Sequence, residues 1–168
     1  VSKGDSLIFN KSIGYLDIEK NKKINYSSKF RIGSISKTFT SVLILKSIED
    51  GKLNLDDTIE SYFPKIPNSN KITIDNLLSH RSGIFNLTDS PDYINYFLEY
   101  KSRKELINII SNFDSSFKPG KRSSYSNSNY VLLTIILERI YSKDYSEILY
   151  EKIIKPYDLK STYYGDVI

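Results

Sequence analysis

The pattern of apolar and polar positions changes character near Arg31. Before it, short β-prone runs such as "SLIF" and "SIGYLDI" alternate with polar turns, among them "EKNKK", and this pattern predicts strands within residues 1–30. After it, apolar residues recur at helical spacing, beginning with Phe39, Val42, Leu43, Leu45 and Ile48. The number of apolar positions in this first helix predicts burial on most of its sides, and Gly51 predicts its end.

Five further patterns favour helices or short helical turns. "LNLDDTIESYFP" and "TIDNLLSH" are typical of short capped helices joined by the loop "PKIPNSN". "SRKELINIISNF" carries a capping box, with Ser102 at the cap and Glu105 three residues later. "NYVLLTIILERIY" predicts a helix that is apolar almost all round, and "YSEILYEKII" an amphipathic one that ends before Pro156.

These elements predict an α+β protein, with antiparallel strands first and a mostly helical region over residues 31–168. A chain of 168 residues suits one domain with a real core, so we expect residues 1–168 to form a single domain. An isolated hairpin is marginal in water, and its open edges invite further pairing. We therefore expect either that the helices cover the sheet or that more strands belong beyond Ile168.

Composition narrows the class of protein. The longest apolar runs, such as "YVLLTIIL", are too short to span a membrane. The absence of cysteine excludes disulfides and Cys-ligated zinc, and a single histidine excludes a His-rich metal site. The net charge of +4 comes from lysines interleaved with acids, so we expect no nucleic-acid partner. Because the chain opens on Val1, we expect it to be a processed product without an export signal.

The stretch "RIGSISKTFTSVLI" holds the first candidate chemistry. Ser34 and Lys37 are three positions apart, a spacing that places Cβ atoms about 5–6 Å apart on one helix face. The free N–H groups at a helix start also favour a developing alkoxide. The same position suits an ordinary N-cap serine, however, and the spacing recurs at Ser115–Lys118, in a loop where it has no geometric meaning. Spacing alone does not separate a nucleophile from a cap.

A second polar group stands before the apolar helix that begins near Tyr130. Tyr125, Ser126 and Asn127 follow a Pro-Gly turn in "FKPGKRSSYSNSNYVLL". A tyrosine hydroxyl can relay protons, and an asparagine amide both donates and accepts hydrogen bonds. The alternative is a turn rich in Tyr and Asn that merely caps a helix. His80, at a helix end in "LLSHRSGI", favours a hydrogen-bonding or capping role over a catalytic one.

Taken together and in order, these segments resemble the serine beta-lactamase and penicillin-binding-protein superfamily, in its class C and D-alanyl-D-alanine carboxypeptidase/esterase branch. "FRIGSISKTFTS" resembles the nucleophile segment, and "EDGKLNLDDTIESYFP" the stretch after its helix. "ITIDNLLSHRSGI" is similar to a family turn, "FKPGKRSSYSNSNYVLLTIILE" to the Tyr-x-Asn segment, and "YEKIIKPYDLKSTYY" to a later helix end. The resemblance covers nearly the whole chain.

The resemblance implies a role for each matching residue. Ser34 would be the acylated nucleophile, and Lys37 its base or proton partner. Tyr125 would shuttle the proton, and Asn127 would bind the substrate's amide. The backbone N–H of Ser34 would be one oxyanion donor, and His80 would be structural. No cofactor or metal is implied.

The resemblance also implies what surrounds this site. The family's third motif, a Lys or His followed two residues later by Gly on a sheet strand, has no match after Asn127. The implied fold is therefore a partial beta-lactamase/transpeptidase-like domain that lacks the C-terminal sheet strands. "PYDL" also departs from the family's Pro-Leu-Gly-Met, which we interpret as a local packing change.

The leading hypothesis is a serine hydrolase that forms an acyl-enzyme with a beta-lactam, a D-Ala-D-Ala-type peptide or a small ester. The alternative is a non-catalytic or truncated module of the same fold that binds peptidoglycan or a protein partner. A third hypothesis is Ser–His hydrolysis through His80. The family's substrates imply an extracytoplasmic location, while the oligomeric state is left open.

Overall fold

The described chain begins with strands and continues with helices, in the order that the sequence predicts. The computed structural model describes residues 1–165, which pack as two units, residues 1–33 and residues 34–165. The first unit holds two separate two-stranded antiparallel sheets. Its strands are β1 (Ser2–Lys3), β2 (Ser6–Leu7), β3 (Tyr15–Asp17) and β4 (Lys22–Lys23).

The strands are shorter than the β-prone runs predict, and one lies in a predicted turn. β1 pairs with β2 around the turn at Gly4, which has a φ of 57°. β3 pairs with β4, although the sequence of β4 belongs to the predicted turn "EKNKK". The turn is tighter than expected because Asn21 adopts a left-handed conformation, with a φ of 50°, directly before β4.

The second unit is helical. Its α-helices are α1 (Ser36–Glu49), α2 (Ile74–Leu78), α3 (Tyr93–Tyr96), α4 (Arg103–Ser111), α5 (Asn127–Tyr141) and α6 (Tyr145–Leu149). α6 continues as a π-helical turn, Tyr150–Ile154. Capping boxes start α2, α4 and α6, and the box at Ser102 and Glu105 confirms the predicted start of α4.

The hydrophobic core lies within the second unit, around α5. The fully buried side chains of α5 include Leu132, Leu133 and Ile136. They belong to one cluster with Leu43 of α1 and Leu77 of α2. The near-continuous burial of α5 confirms the prediction of a helix that is apolar almost all round.

Two predictions about helices are wrong. α1 is buried along one side only, since Leu43 and Ile44 are fully buried while Val42 and Leu45 are 38% and 48% exposed. The segment "LNLDDTIESYFP" forms only a 3₁₀ turn, Ile59–Ser61. The reason is an extended pairing just before it: Thr58 bridges Thr73, and the Ile59 N–H donates to the Ile72 carbonyl.

The loop after α2 is held against the segment that leads to α5. Gly83, with a φ of 76°, approaches the Phe117 carbonyl so closely that an added Cβ would lie 2.0 Å from its oxygen. The Ser116 N–H donates to the Gly83 carbonyl over 2.8 Å. Further along, Ser128 of α5 accepts from the Leu87 N–H and donates to the Phe85 carbonyl. Residues 80–88 and the start of α5 therefore form one hydrogen-bonded assembly.

Candidate active site

Ser34 lies in a 3₁₀ turn, Gly33–Ile35, directly before α1. It does not cap this helix: the N-cap position is Ile35, and no side chain caps α1 there. The Ser34 Oγ lies 2.8 Å from the Tyr125 hydroxyl and 3.1 Å from Lys37 Nζ. The hypothesis of a plain helix cap is therefore wrong, because the hydroxyl is turned toward other side chains.

Lys37 lies on the first turn of α1 and is partly buried. Its ammonium donates to Ser34 Oγ and, over 2.8 Å, to Asn127 Oδ1. Its Nζ also lies 4.9 Å and 5.7 Å from the ring centres of Tyr125 and Tyr130. Within residues 1–165 Lys37 forms no salt bridge, so its charge faces neutral oxygens and aromatic rings. A positive charge of this kind stabilises an oxyanion that forms nearby.

Tyr125 and Asn127 approach from the start of α5. The Tyr125 side chain is half exposed. Its hydroxyl contacts Ser34 Oγ and donates to Asn127 Oδ1 over 3.4 Å. The neighbouring Lys37 ammonium, and then the Ser34 hydroxyl, lower the pKa of the Tyr125 phenol below its ordinary value of 10.0. The structure thus joins four residues, which we call the Ser34 cluster, by hydrogen bonds: Ser34, Lys37, Tyr125 and Asn127.

The second Ser-x-x-Lys match serves as a comparison. Ser115 and Lys118 lie in a loop, as the sequence predicts. The Ser115 Oγ accepts a hydrogen bond from Asn68 Nδ2 over 2.8 Å. Three-residue spacing gives a serine–lysine contact at the start of α1 because the helical backbone brings the two side chains to one face.

His80 contacts the segment that carries Tyr125. It follows α2 in a left-handed conformation, with a φ of 57°. Its Nδ1 accepts the Ser126 N–H over 3.1 Å, and its ring centre lies 4.6 Å from that of Tyr125. Burial, and then the charge of Lys37, lower the pKa of His80 below 6.5. These contacts agree with the hydrogen-bonding role that the sequence favours.

Two residues at the cluster went unrecognised in the sequence. Asn127 Nδ2 donates to Asn86 Oδ1 over 3.2 Å and to Thr88 Oγ1 over 3.1 Å. The backbone N–H of Asn127 also donates to Asn86 Oδ1, over 2.8 Å. The segment "GIFNLTD" has no periodicity or motif that predicts a contact of Asn86 or Thr88 with Asn127. The only local signal is that Asn is a preferred residue directly before a helical turn, which fits the position of Asn86.

Open cavities flank the Ser34 cluster. One of about 310 Å³ is lined in part by Lys37, Asn127 and Tyr130. Another of about 440 Å³ reaches Asn127 from the side of Thr88 and Val131. A larger cavity, of about 700 Å³, lies between α4 and the end of α5, and the Ser34 cluster does not line it. Two of these three cavities are thus lined by residues of the Ser34 cluster.

The described helices include none that is long and apolar enough to cross a membrane.

Comparison with known proteins gives consistent matches. A family model described as Beta-lactamase matches residues 1–168. Teichoic acid D-alanine hydrolase of Staphylococcus aureus is 31% identical over 160 residues, which make up 95% of this chain and 38% of that protein. The chain spans only 33% to 38% of the length of the curated relatives it matches.

Solved structures place the fold. D-amino acid amidase of Ochrobactrum anthropi SV3, in complex with D-phenylalanine, has a TM-score of 0.76 at 28% identity, over 86% of this chain and 40% of that one. A penicillin-binding protein of Bacillus halodurans has a TM-score of 0.87 at 23% identity, over 99% of this chain and 51% of that one. The predicted beta-lactamase/transpeptidase-like fold is confirmed.

Proposed function

This chain belongs to the beta-lactamase family, and from that premise we propose that it is a serine hydrolase that works through an acyl-enzyme. We also propose that residues 1–168 belong to one beta-lactamase-related domain. The observation that carries the function is the contact of the Ser34 hydroxyl with both Tyr125 and Lys37, at 2.8 Å and 3.1 Å. A serine hydroxyl beside a group that can take its proton is the arrangement that nucleophilic catalysis requires.

The proposed reaction has two steps. Tyr125 starts as the phenolate. Ser34 Oγ attacks the substrate's carbonyl carbon, its proton passes to the Tyr125 oxygen, and that proton then goes to the departing amine or alcohol as its bond to the carbonyl carbon breaks. Water next adds to the acyl carbon and gives a proton to Tyr125, and Tyr125 passes that proton to Ser34 Oγ as the bond between Ser34 and the acyl group breaks and the acid leaves. Lys37, as an ammonium, stabilises the Tyr125 phenolate and the charge that develops on the substrate oxygen. The backbone N–H of Ser34 is the oxyanion donor in this scheme.

For the substrate we propose a D-configured aminoacyl ester or amide, within a class that also includes beta-lactams, D-Ala-D-Ala-type peptides and other small esters. The names of two similar proteins, teichoic acid D-alanine hydrolase and D-amino acid amidase, support this choice. Asn127 would contact the substrate's amide from the cavity beside it. The family's substrates support an extracytoplasmic location.

The test is intact-mass analysis of the chain after incubation with benzylpenicillin or a fluorophosphonate. We expect one adduct on the native chain and none on Ser34→Ala. Ser115→Ala is the matched control, because Ser115 heads the other Ser-x-x-Lys match and should leave the adduct unchanged. Native chain that stays unmodified by both reagents, or an adduct that survives in Ser34→Ala, would overturn the proposal and favour a non-catalytic module.

A further inference from the structure

Asn86 hydrogen-bonds Asn127, and among the described residues no hydrogen bond joins Asn86 to Ser34. We propose that Asn86 is a positioning residue: it fixes the Asn127 amide so that the oxygen of that amide faces Lys37. The inference rests on the proposed function, since a fixed acceptor for Lys37 matters only if the Ser34 cluster reacts.

Hydrogen-bond chemistry alone determines which way the Asn127 amide must point. An ammonium has only donors, so the Asn127 atom 2.8 Å from Lys37 Nζ has to be the oxygen. The NH₂ group of Asn127 therefore points the other way, toward Asn86. The Asn86 atom facing it also lies 2.8 Å from the Asn127 backbone N–H, a donor, so that atom has to be an oxygen too.

Asn86 is itself held in place. Its Nδ2 donates to Asp89 Oδ1 over 2.9 Å, which fixes the direction of its oxygen. It precedes the 3₁₀ turn Leu87–Asp89 at the N-cap position, yet its side chain makes no capping bond there. The oxygen that would ordinarily cap the turn is directed to Asn127 instead. The buried Ser128 hydroxyl forms hydrogen bonds with the backbone of Phe85 and Leu87, the residues on either side of Asn86.

Thr88 is the second acceptor for the NH₂ group of Asn127, but it cannot fix the orientation of the Asn127 amide. A threonine hydroxyl both donates and accepts, so it would bond equally well to an NH₂ group or to an oxygen. A substrate carbonyl could therefore replace Thr88 as the partner of one Asn127 N–H while Asn86 keeps the amide in place. The two ends of this amide are nearly equal in shape, so packing does not oppose a flip that would set NH₂ against the Lys37 ammonium. Lys37 opposes the flip from the oxygen side and Asn86 from the NH₂ side, and without Asn86 only the oxygen side is held.

The kinetic test uses Asn86→Ala, with the rate of Ser34 acylation by benzylpenicillin measured over a range of concentrations. Because small misplacements of reacting groups cost about 10²-fold, we expect the limiting rate to fall by about that factor while the half-saturating concentration stays nearly constant. The double variant Asn86→Asp with Asp89→Asn exchanges donor and acceptor, keeps the net charge and should restore the rate. Asn54→Ala is the matched control, since Asn54 also contacts an aspartate three residues later, Asp57.

A second measurement does not depend on activity. In protein labelled with ¹⁵N-asparagine, the Asn127 side-chain amide is assigned by its loss in Asn127→Ala. We expect its protons to exchange slowly with water in the native chain and in the double variant, and faster in Asn86→Ala. Asn86→Ser, which keeps a residue that suits a helix cap, replaces Asn86→Ala if that variant does not fold.

The two measurements separate the possible failures. Equal exchange of the Asn127 amide in the native chain and in the Asn86 variant would overturn the positioning role, whatever the chain's activity. If the native chain forms the adduct, a limiting rate in Asn86→Ala equal to that of the native chain would also overturn the positioning role. A native chain that forms no adduct, but whose Asn127 amide loosens in the variant, would overturn the proposed function and leave the positioning role supported.

Discussion

The Tyr125 phenol is more acidic than that of an isolated tyrosine. Tyr125 is half exposed, yet its hydroxyl lies among the Lys37 ammonium, Ser34 Oγ and Asn127 Oδ1. A nearby positive charge favours the phenolate over the neutral phenol, so the pKa of Tyr125 lies below 10.0. Tyr125 therefore becomes a proton acceptor at a lower pH than an isolated tyrosine does.

The titration of Tyr125 can be followed directly through its ¹³Cζ NMR signal, assigned with Tyr125→Phe. We expect a midpoint below 10.0 in the native chain and a higher one in Lys37→Met, because that variant removes the charge that stabilises the phenolate. Lys118→Met, in the other Ser-x-x-Lys match, should leave the midpoint unchanged. An equal midpoint in the native chain and Lys37→Met would mean that Lys37 does not set the acidity of this phenol.

Individual residues differed in how well the sequence revealed them. Ser34 and Lys37 could be paired because their contact is local and follows from helical geometry. Tyr125 and Asn127 were brought to them only by resemblance to a family, since no spacing rule relates residues about 90 positions apart. Asn86 could not be found, because its contact with Asn127 is long-range and uses a common turn residue.

At the scale of elements, the start of α5 holds two serines whose hydroxyls have different hydrogen-bond partners. Ser126 and Ser128 are both buried, two positions apart, and their hydroxyls differ completely. Ser128 Oγ accepts the Leu87 N–H and donates to the Phe85 carbonyl, at 2.9 Å and 2.6 Å. Within the described residues, Ser126 Oγ has no hydrogen-bond partner.

This contrast predicts that replacement by alanine affects stability differently at the two positions. Ser128→Ala should lower the free energy of unfolding by about 1–3 kcal/mol, because it leaves the buried Leu87 N–H and the partly buried Phe85 carbonyl without this partner. Ser126→Ala should leave it unchanged or raise it by up to about 1 kcal/mol, because it removes an unpaired buried hydroxyl. Urea denaturation of both variants measures the difference, and similar losses in the two would contradict the hydrogen-bond assignment.

Elements with local signals were predicted well, and those shaped by tertiary pairing were not. The cap of α4 could be located because Ser102 and Glu105 form a box within one turn. The segment around Ile59 has a helical composition, but its bond with Ile72 draws it into an extended pairing. α1 has enough apolar residues to be buried all round, yet its neighbours cover only one side.

At the scale of the whole molecule, stability is concentrated in residues 34–165. The buried apolar side chains all fall between Leu43 and Ile153 in the described chain. The residues of β1, β2 and β4 are exposed throughout, and two-stranded sheets are marginal by themselves.

The rates of amide hydrogen exchange should therefore differ sharply between residues 1–33 and the core of residues 34–165. We expect the amides of β1 to β4 to exchange at nearly the rates of an unstructured chain. Those of Leu133 and Ile136 in α5 should exchange only through global unfolding, because both side chains are fully buried in the core. Mass spectrometry of peptides from a deuterium-exchange series measures this, and protection of β1 to β4 equal to that of α5 would show that the first unit unfolds together with the second.

The long sequence separation within the Ser34 cluster has a consequence for biosynthesis. Tyr125 follows Ser34 by 91 positions, so a ribosome adding about 5–20 residues per second needs about 5–18 s to pass from one to the other. Throughout that interval Ser34 lacks its contact with Tyr125, whereas Lys37 is already part of the chain three residues later. The hydrogen bond between Ser34 and Tyr125 can therefore form only after the start of α5 has been synthesised and has packed.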